Sequence, residues 1–460
     1  MKKLAQSLSN PKTWFVWLVA LLLLRAAPGW AAIVTVTSAA DSGPGSLRTA
    51  IAGANPGDYI DFAVALAGQT IHLTSGELSI GKNLTIDASG FGEPLVINAG
   101  GTSRVLEITA GSVVIAGLVL TNGVCPPGHS GGGIQVDYGT ALTVNSCTIS
   151  GCVATNGSAG GGIYVTSGSS LTLLFSTISG CVATNGSAGG GIYNTGSALI
   201  EYCTLINNTS EFGAGIYNFS FAVVTLNDCT LAGNSTVIGE FGSGGGIYNY
   251  GSQTNAPNIM LNNCTLDGNF ASNGGGIYNP GSNPIQLVLT NTIVAGNTAP
   301  VGGADILGLH SGANNFIGGD PKLAPLGNYG GPTLTMQPLS GSPVIDAGND
   351  AVTNSLTYDQ RISLRLSGAH VDIGAVEVQF NGSANVPFLV KNVTRSGNQL
   401  QFSFTNAPYV DFTALTSTNL ALPPANWTPL GNVTEISPGH YQFTDPSATN
   451  RAQFYRVVSP

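Results

Sequence analysis

The chain of 460 residues carries only 8% charged side chains but 64 glycines, and 43% of it is hydrophobic. That apolar share, arranged in short Val/Ile/Leu runs between Gly, Asn and Ser, excludes a disordered polar chain and points to many strands and tight turns. A formal charge of −9 disfavours nucleic acid, anionic membrane surfaces and acidic polysaccharides as partners.

Residues 1–31 read as an export signal. Lys2, Lys3 and Lys12 precede the apolar run 14–24, and Gly29 and Ala31 suit the −3 and −1 positions of a cleavage site. The run is too short to span a bilayer, so cleavage is expected over an uncleaved anchor. No later stretch is long and apolar enough for a membrane helix, so no transmembrane segment is expected in the mature chain. Removing the four cations of this segment from the chain's 14 leaves 10 against 23 acids, a formal charge of −13. The expected location is extracellular or on the outer cell surface.

Next comes a short amphipathic stretch, 46–52, with Leu47 and Ile51 on one face, expected as a capping helix. Strand-like runs follow at 59–62, 69–73, 84–86, 105–108 and 113–120. The chain then repeats itself. A Gly-Gly-Gly-Ile element or a close variant recurs with its isoleucine at Ile134, Ile163, Ile192, Ile216, Ile247, Ile277 and Ile306. Residues 148–164 recur identically as 177–193. A second series places Cys147, Ser176, Cys203, Cys229 and Cys264 ahead of Thr-Ile or Thr-Leu. A third runs Cys152, Cys181, Asn208, Asn234, Asn269 and Asn297.

A unit of about 29 residues with several short strands and no helical period cannot bury its apolar face alone. Stacked coils solve this, because each strand then pairs in parallel with its equivalents above and below. The reading is all-β: a right-handed parallel β-helix of about ten coils, on the order of 50 Å long, with a β-propeller as the alternative. Residues 32–319 form this solenoid with its N-terminal cap, 320–380 a closing cap region, and 381–460 a small C-terminal β-sandwich. Its clearest strands are 399–404, 411–416, 440–443 and 453–458, with Trp427 as a core aromatic.

Three motifs carry a resemblance. Ser46-Leu47-Arg48-x-Ala50-Ile51 resembles the opening of secreted bacterial β-helix proteins. The Gly-Gly-x-Ile and Asn repeats are similar to those of the polymorphic outer-membrane protein and adhesin-like group. Asp359-Gln360-Arg361, Arg365 and Asp372-Ile373-Gly374-Ala375-x-Glu377 resemble the closing motif of choice-of-anchor β-helix proteins, over roughly 33–377 in all. The resemblance implies a pectin-lyase-like architecture and a surface setting without a fixed activity. The chain departs from it at Ile362-Ser363-Leu364, and in ending on the sandwich rather than a short sorting tail. That domain then serves export, attachment or ligand binding.

A lyase of acidic sugars needs a base plus Arg, Lys or a cation. Between Val105 and Pro321 there is no Lys and no Arg. A hydrolase of neutral polysaccharide needs two carboxylates about 5–10 Å apart; Glu211 and Glu240 are the candidates, with Asp228 and Asp267 behind them, against solvated turn residues as the plain reading. His129 and His310 are isolated, so no metal and no cofactor is expected. Cys152 and Cys181, equivalent on neighbouring coils, lie near disulfide range, with reduced ladder thiols as the alternative. The candidate binding residues are Tyr164, Tyr193, Tyr217, Tyr248 and Tyr278. Each follows a ladder isoleucine and so points outward if the isoleucine points in. Asn194, Asn218, Asn249 and Asn279 come next, and their amides are expected beside the rings. The column reads as a strip for neutral glycans or cell-surface partners, with a purely stabilising aromatic stack as the alternative. The leading function is non-catalytic adhesion or glycan binding.

Overall fold

The computed structural model describes residues 31–236, 242–250, 258–280, 287–379, 391–405, 412–419, 422, 426–437, 440–449 and 453–458. The expected export signal therefore lies outside the described residues, apart from Ala31.

Three long parallel sheets run the length of the solenoid, with 11, 9 and 10 strands. In each coil the chain passes through sheet 2 (as at Ile134–Val136), then sheet 1 (Ala141–Asn145), then sheet 3 (Thr148–Ser150). A fourth sheet of four short strands, Val153–Ala154 to Ser235–Thr236, follows sheet 3 in the middle coils. The seven ladder isoleucines stand in unbroken register, Ile134 to Ile306. All are fully buried except Ile306, which is only partly covered on the last coil. At the other end α1 (Leu47–Gly53) closes the core with Leu47, Ala50 and Ile51, and Ser46 caps it by accepting from the Thr49 amide.

Two features explain the glycines. Gly160 adopts φ +70°, and a Cβ on Gly162 would stand 2.5 Å from the Gly191 carbonyl oxygen of the next coil. The backbones of successive coils touch there, which only glycine permits.

From Ser146 to Asn291 the corner between sheets 1 and 3 is a single left-handed residue in each coil. Ser146, Phe175, Tyr202, Asp228, Asn263 and Asn291 all occupy it, with φ between 48° and 56°. The next residue, Cys147, Ser176, Cys203, Cys229, Cys264 or Thr292, turns inward and serves the corner's backbone. Ser176 Oγ accepts from the Cys147 amide at 3.0 Å, and the Cys203 thiol donates to the Glu201 carbonyl at 3.0 Å. After sheet 3 the asparagine ladder does the same work. Asn208, Asn234, Asn269 and Asn297 are buried and linked side chain to side chain at 2.9 Å per step.

Residues 320–379, expected as a cap at the rod's end, do pack Val344 and Ile373 against Ile293 and Ala295. They also run back along the outer side of sheet 3. Thr333 Oγ1 donates to the Tyr202 carbonyl, and Gln360 bridges Thr204 and Thr230. Ala375 donates its amide to Thr265 Oγ1. The strap meets the threonine column of sheet 3; Thr204, Thr230 and Thr265 are buried beneath it, whereas Thr148 and Thr177 upstream are half-exposed.

The C-terminal region holds antiparallel sheets of four and three strands. Beyond the expected strands it contains Lys391–Ser396, Thr428–Asn432 and Thr434–Ser437. Its core is Phe402, Phe404, Phe412, Ala414, Val433, Tyr441 and Phe443. Trp427 is buried outside this cluster, its indole N–H donating to the Leu422 carbonyl at 3.0 Å.

Candidate functional site

The outer side of sheet 2 carries the tyrosines. Tyr164, Tyr193, Tyr217, Tyr248 and Tyr278 are in register, one per coil. Ring centroids are 5.2, 4.9, 5.0 and 5.0 Å apart. The first three steps are nearly coplanar stacks, at 12°, 15° and 11°; the last is tilted by 48°. Each ring's faces are therefore turned along the rod toward its neighbours, and the stack contributes about 0.5–1.5 kcal/mol per pair. Edges and hydroxyls are what remain for a ligand. Tyr193, Tyr217 and Tyr278 are half-buried and Tyr248 is buried, and their hydroxyls have no hydrogen-bond partner among the described residues. Burial, then neighbouring tyrosines, pushes Tyr193 and Tyr248 up to about 12 and raises Tyr217 as well. Tyr193, Tyr217 and Tyr248 thus stand as neutral hydroxyl donors.

A second aromatic column lies beside the first. Phe219 and Tyr250 stack at 5.4 Å and 2°, Tyr250 contacts Tyr217 and Tyr248, and Phe221 nearby is 61% exposed. The sequence does carry this signal, as Ile-Tyr-Asn-Phe and Ile-Tyr-Asn-Tyr in consecutive units.

The asparagines that follow the tyrosines are not beside the rings. Asn194, Asn218, Asn249 and Asn279 are buried and form a second internal ladder, with steps of 2.9, 3.1 and 3.0 Å. Strand alternation is the reason: a residue that follows an outward side chain must point inward.

Upstream, the tyrosine register continues as Gln135 and then Glu107. Arg104, almost fully buried, donates from Nη1 to Glu77 at 2.9 Å and to Glu107 at 3.0 Å. These two carboxylates are brought together at the head of the column, and both are engaged by one guanidinium.

The acids proposed for hydrolysis are dispersed. Glu211 accepts from the Gly186 amide at 2.6 Å. Glu240 lies outside the described residues. Asp228 sits at a sheet 1–3 corner, wholly buried and ion-paired with Arg365 of the strap. Asp267, on sheet 3, is pushed up to about 6 by burial, with Asp305 and Asp320 adding to the rise. Among the described residues no group of three His, Cys, Asp or Glu side chains is placed to hold a metal. All seven cysteines are buried and unbridged, Cys152 and Cys181 included. No helix among the described residues is long and apolar enough to cross a membrane.

The family model described as the right-handed β-helix region matches residues 105–299. Together with the parallel three-sheet topology, this makes the solenoid a right-handed parallel β-helix. No curated protein sequence matches the chain. Among solved structures, pectate lyase Pel9A is similar at 16% identity over 76% of this chain and 97% of that one, with a TM-score of 0.49. The PL6 family alginate lyase AlyGC is 13% identical over 77% of this chain and 59% of that one, TM-score 0.22. The enzymatically active domain of tailspike protein 4 of bacteriophage CBA120 is 10% identical over 88% and 62%, TM-score 0.22.

Proposed function

We propose that the mature chain is a secreted or outer-surface β-helix protein that holds neutral glycans or cell-surface partners without cleaving them. The observation that carries this reading is the outward tyrosine column, five rings in register about 5 Å apart, four of them with no described partner on the hydroxyl. That interval is close to the length of one pyranose in an extended polysaccharide, so one sugar can meet each coil. Tyrosine suits the task because an apolar ring edge and a hydrogen-bonding tip lie together. The acid-rich, cation-free body favours an uncharged partner. The similarity of the closing motif to choice-of-anchor proteins supports the surface setting.

The competing reading is a hydrolase of neutral polysaccharide. Purified mature protein is incubated with a panel of insoluble polysaccharides, and both retention and new reducing ends are measured. We expect retention on neutral members without cleavage, weakened by at least about tenfold when Tyr217→Ala and Tyr248→Ala are combined. New reducing ends abolished by Glu240→Gln would establish the hydrolase instead. Neither retention nor cleavage would leave the rod as a stalk for its C-terminal region.

A further inference from the structure

The strap over sheet 3 is held by an unusual set of buried charges. Asp228 from the solenoid, and Asp359, Asp372 and Glu377 from the strap, are all fully buried. Against these four acids stand two guanidiniums. Arg361 forks onto Asp359 at 2.8 and 2.9 Å, and Arg365 pairs with Asp228 while its Nη1 stands 4.0 Å from Glu377. The carboxylates lean on backbone amides for the rest. Glu377 accepts from Ser367 and Asp372 at 3.0 and 2.7 Å, and Asp372 from Asp346 and Val378 at 2.7 Å each. Even so, Asp228 Oδ2, Arg365 Nε and both amide atoms of Asn263 are buried without a partner.

Two further facts separate the strap from the rod. Over Thr204, Thr230 and Thr265 its described contacts are hydrogen bonds, whereas its apolar anchor, Val344 and Ile373, sits on the last coils. The same sheet-3 positions upstream, Thr148 and Thr177, face solvent without harm to the solenoid. Lifting the strap therefore uncovers Ile293 and Ala295 on the last coils but leaves the core beneath Thr204, Thr230 and Thr265 closed.

We propose that residues 333–377 form a pH-sensitive latch, closed over sheet 3 in acid and released as the pH rises, lengthening the open hydroxyl face from Thr148 and Thr177 through Thr204, Thr230 and Thr265. Closing gathers more buried acids than cations, so it takes up protons, and raising the pH opposes it. Glu377 is the most affected: burial, with Asp372 beside it, pushes it up to about 8. Burial likewise brings Asp228 and Asp372 to about 6, against the pull of Arg365. The Glu377 carboxyl faces Asp372, with Asp346 beside it, and Arg365; its backbone amide donates to Asp359 and its carbonyl accepts from Arg361, while Arg365 leads on to Asp228 of the rod with Tyr202, Cys229 and Cys264 around it. Because these folded values lie above the usual carboxylate range, the stabilisation is complete in acid. It is lost as the pH climbs toward 8.

The test is hydrogen exchange on the full mature chain, expressed as protection factors so that base catalysis cancels. The reporters are the amides of Gly374, which donates to the Asn291 carbonyl of the rod, and Ala375, which donates to Thr265; the reference is Ile247 in sheet 2, bonded to Gly276. Between about pH 6 and pH 9, protection at both reporters should fall at least about tenfold while Ile247 holds within about twofold. Glu377→Gln should flatten the fall, and Asp372→Asn gives a second, independent reading should the first variant not fold. Protection that is independent of pH, or that falls equally at Ile247, would overturn the latch.

Discussion

Truncating Asn234 to alanine strikes the internal ladder at its middle. Asn234 Oδ1 accepts from the Asn208 amide at 3.1 Å and from Asn208 Nδ2 at 2.9 Å, and its own Nδ2 donates to the Leu205 carbonyl and to Asn269 Oδ1. Asn208 Nδ2 keeps a bond to the Ile178 carbonyl, and Asn269 Oδ1 keeps the Asn234 amide. The Asn208 backbone N–H loses its partner in a fully buried site. One orphaned donor at about 1–3 kcal/mol plus three lost bonds at about 0.5–1.5 kcal/mol each gives a loss of about 5 kcal/mol. Asn234→Cys should cost about half as much, because Cys152 and Cys181 occupy that register upstream and are fully buried there. Urea unfolding followed by far-UV circular dichroism measures both. An alanine variant within about 1 kcal/mol of wild type, or a cysteine variant worse than alanine, would refute the view that this column satisfies the coil corners.

Three further outcomes are expected. Arg365→Met should cost about 3–5 kcal/mol by stranding buried Asp228, whereas adding Asp228→Asn should recover most of that loss; a double-mutant cycle by chemical denaturation reads the coupling. Gly162→Ala should destabilise strongly and locally, since its Cβ meets the Gly191 carbonyl at 2.5 Å; exchange protection at Ile163 and Ile192 should drop while that at Phe402 in the C-terminal region stays unchanged. Ile216→Ala, in the middle of the core column and fully buried, should cost about 2–5 kcal/mol by calorimetry or denaturation, more than the same change at half-covered Ile306.

What the sequence made legible was whatever repeats with the coil. Ile134 to Ile306 and Tyr164 to Tyr278 could be stacked from their spacing alone, because parallel coils turn sequence period into vertical columns. The same alternation that turns the tyrosines outward turns Asn194 to Asn279 inward, against the expectation that their amides lie beside the rings. The corner at Phe175 and Tyr202 carried no glycine to announce a left-handed residue. The strap was illegible for a different reason. Gln360 meets Thr204 across 156 positions of sequence with no period to signal it. Asp228 therefore read as a loose carboxylate when it is the strap's buried anchor. Arg104 escaped notice because it stands one residue before the cation-free stretch, though it fixes Glu77 and Glu107 at the head of the tyrosine register.

Calorimetric titration of the mature chain with neutral oligosaccharides of increasing length bears most directly on the tyrosine column. If one sugar meets each coil, affinity should climb with every added residue up to about five, the number of stacked rings, and then level off. An affinity already saturated by a mono- or disaccharide, or no binding at any length, would contradict it.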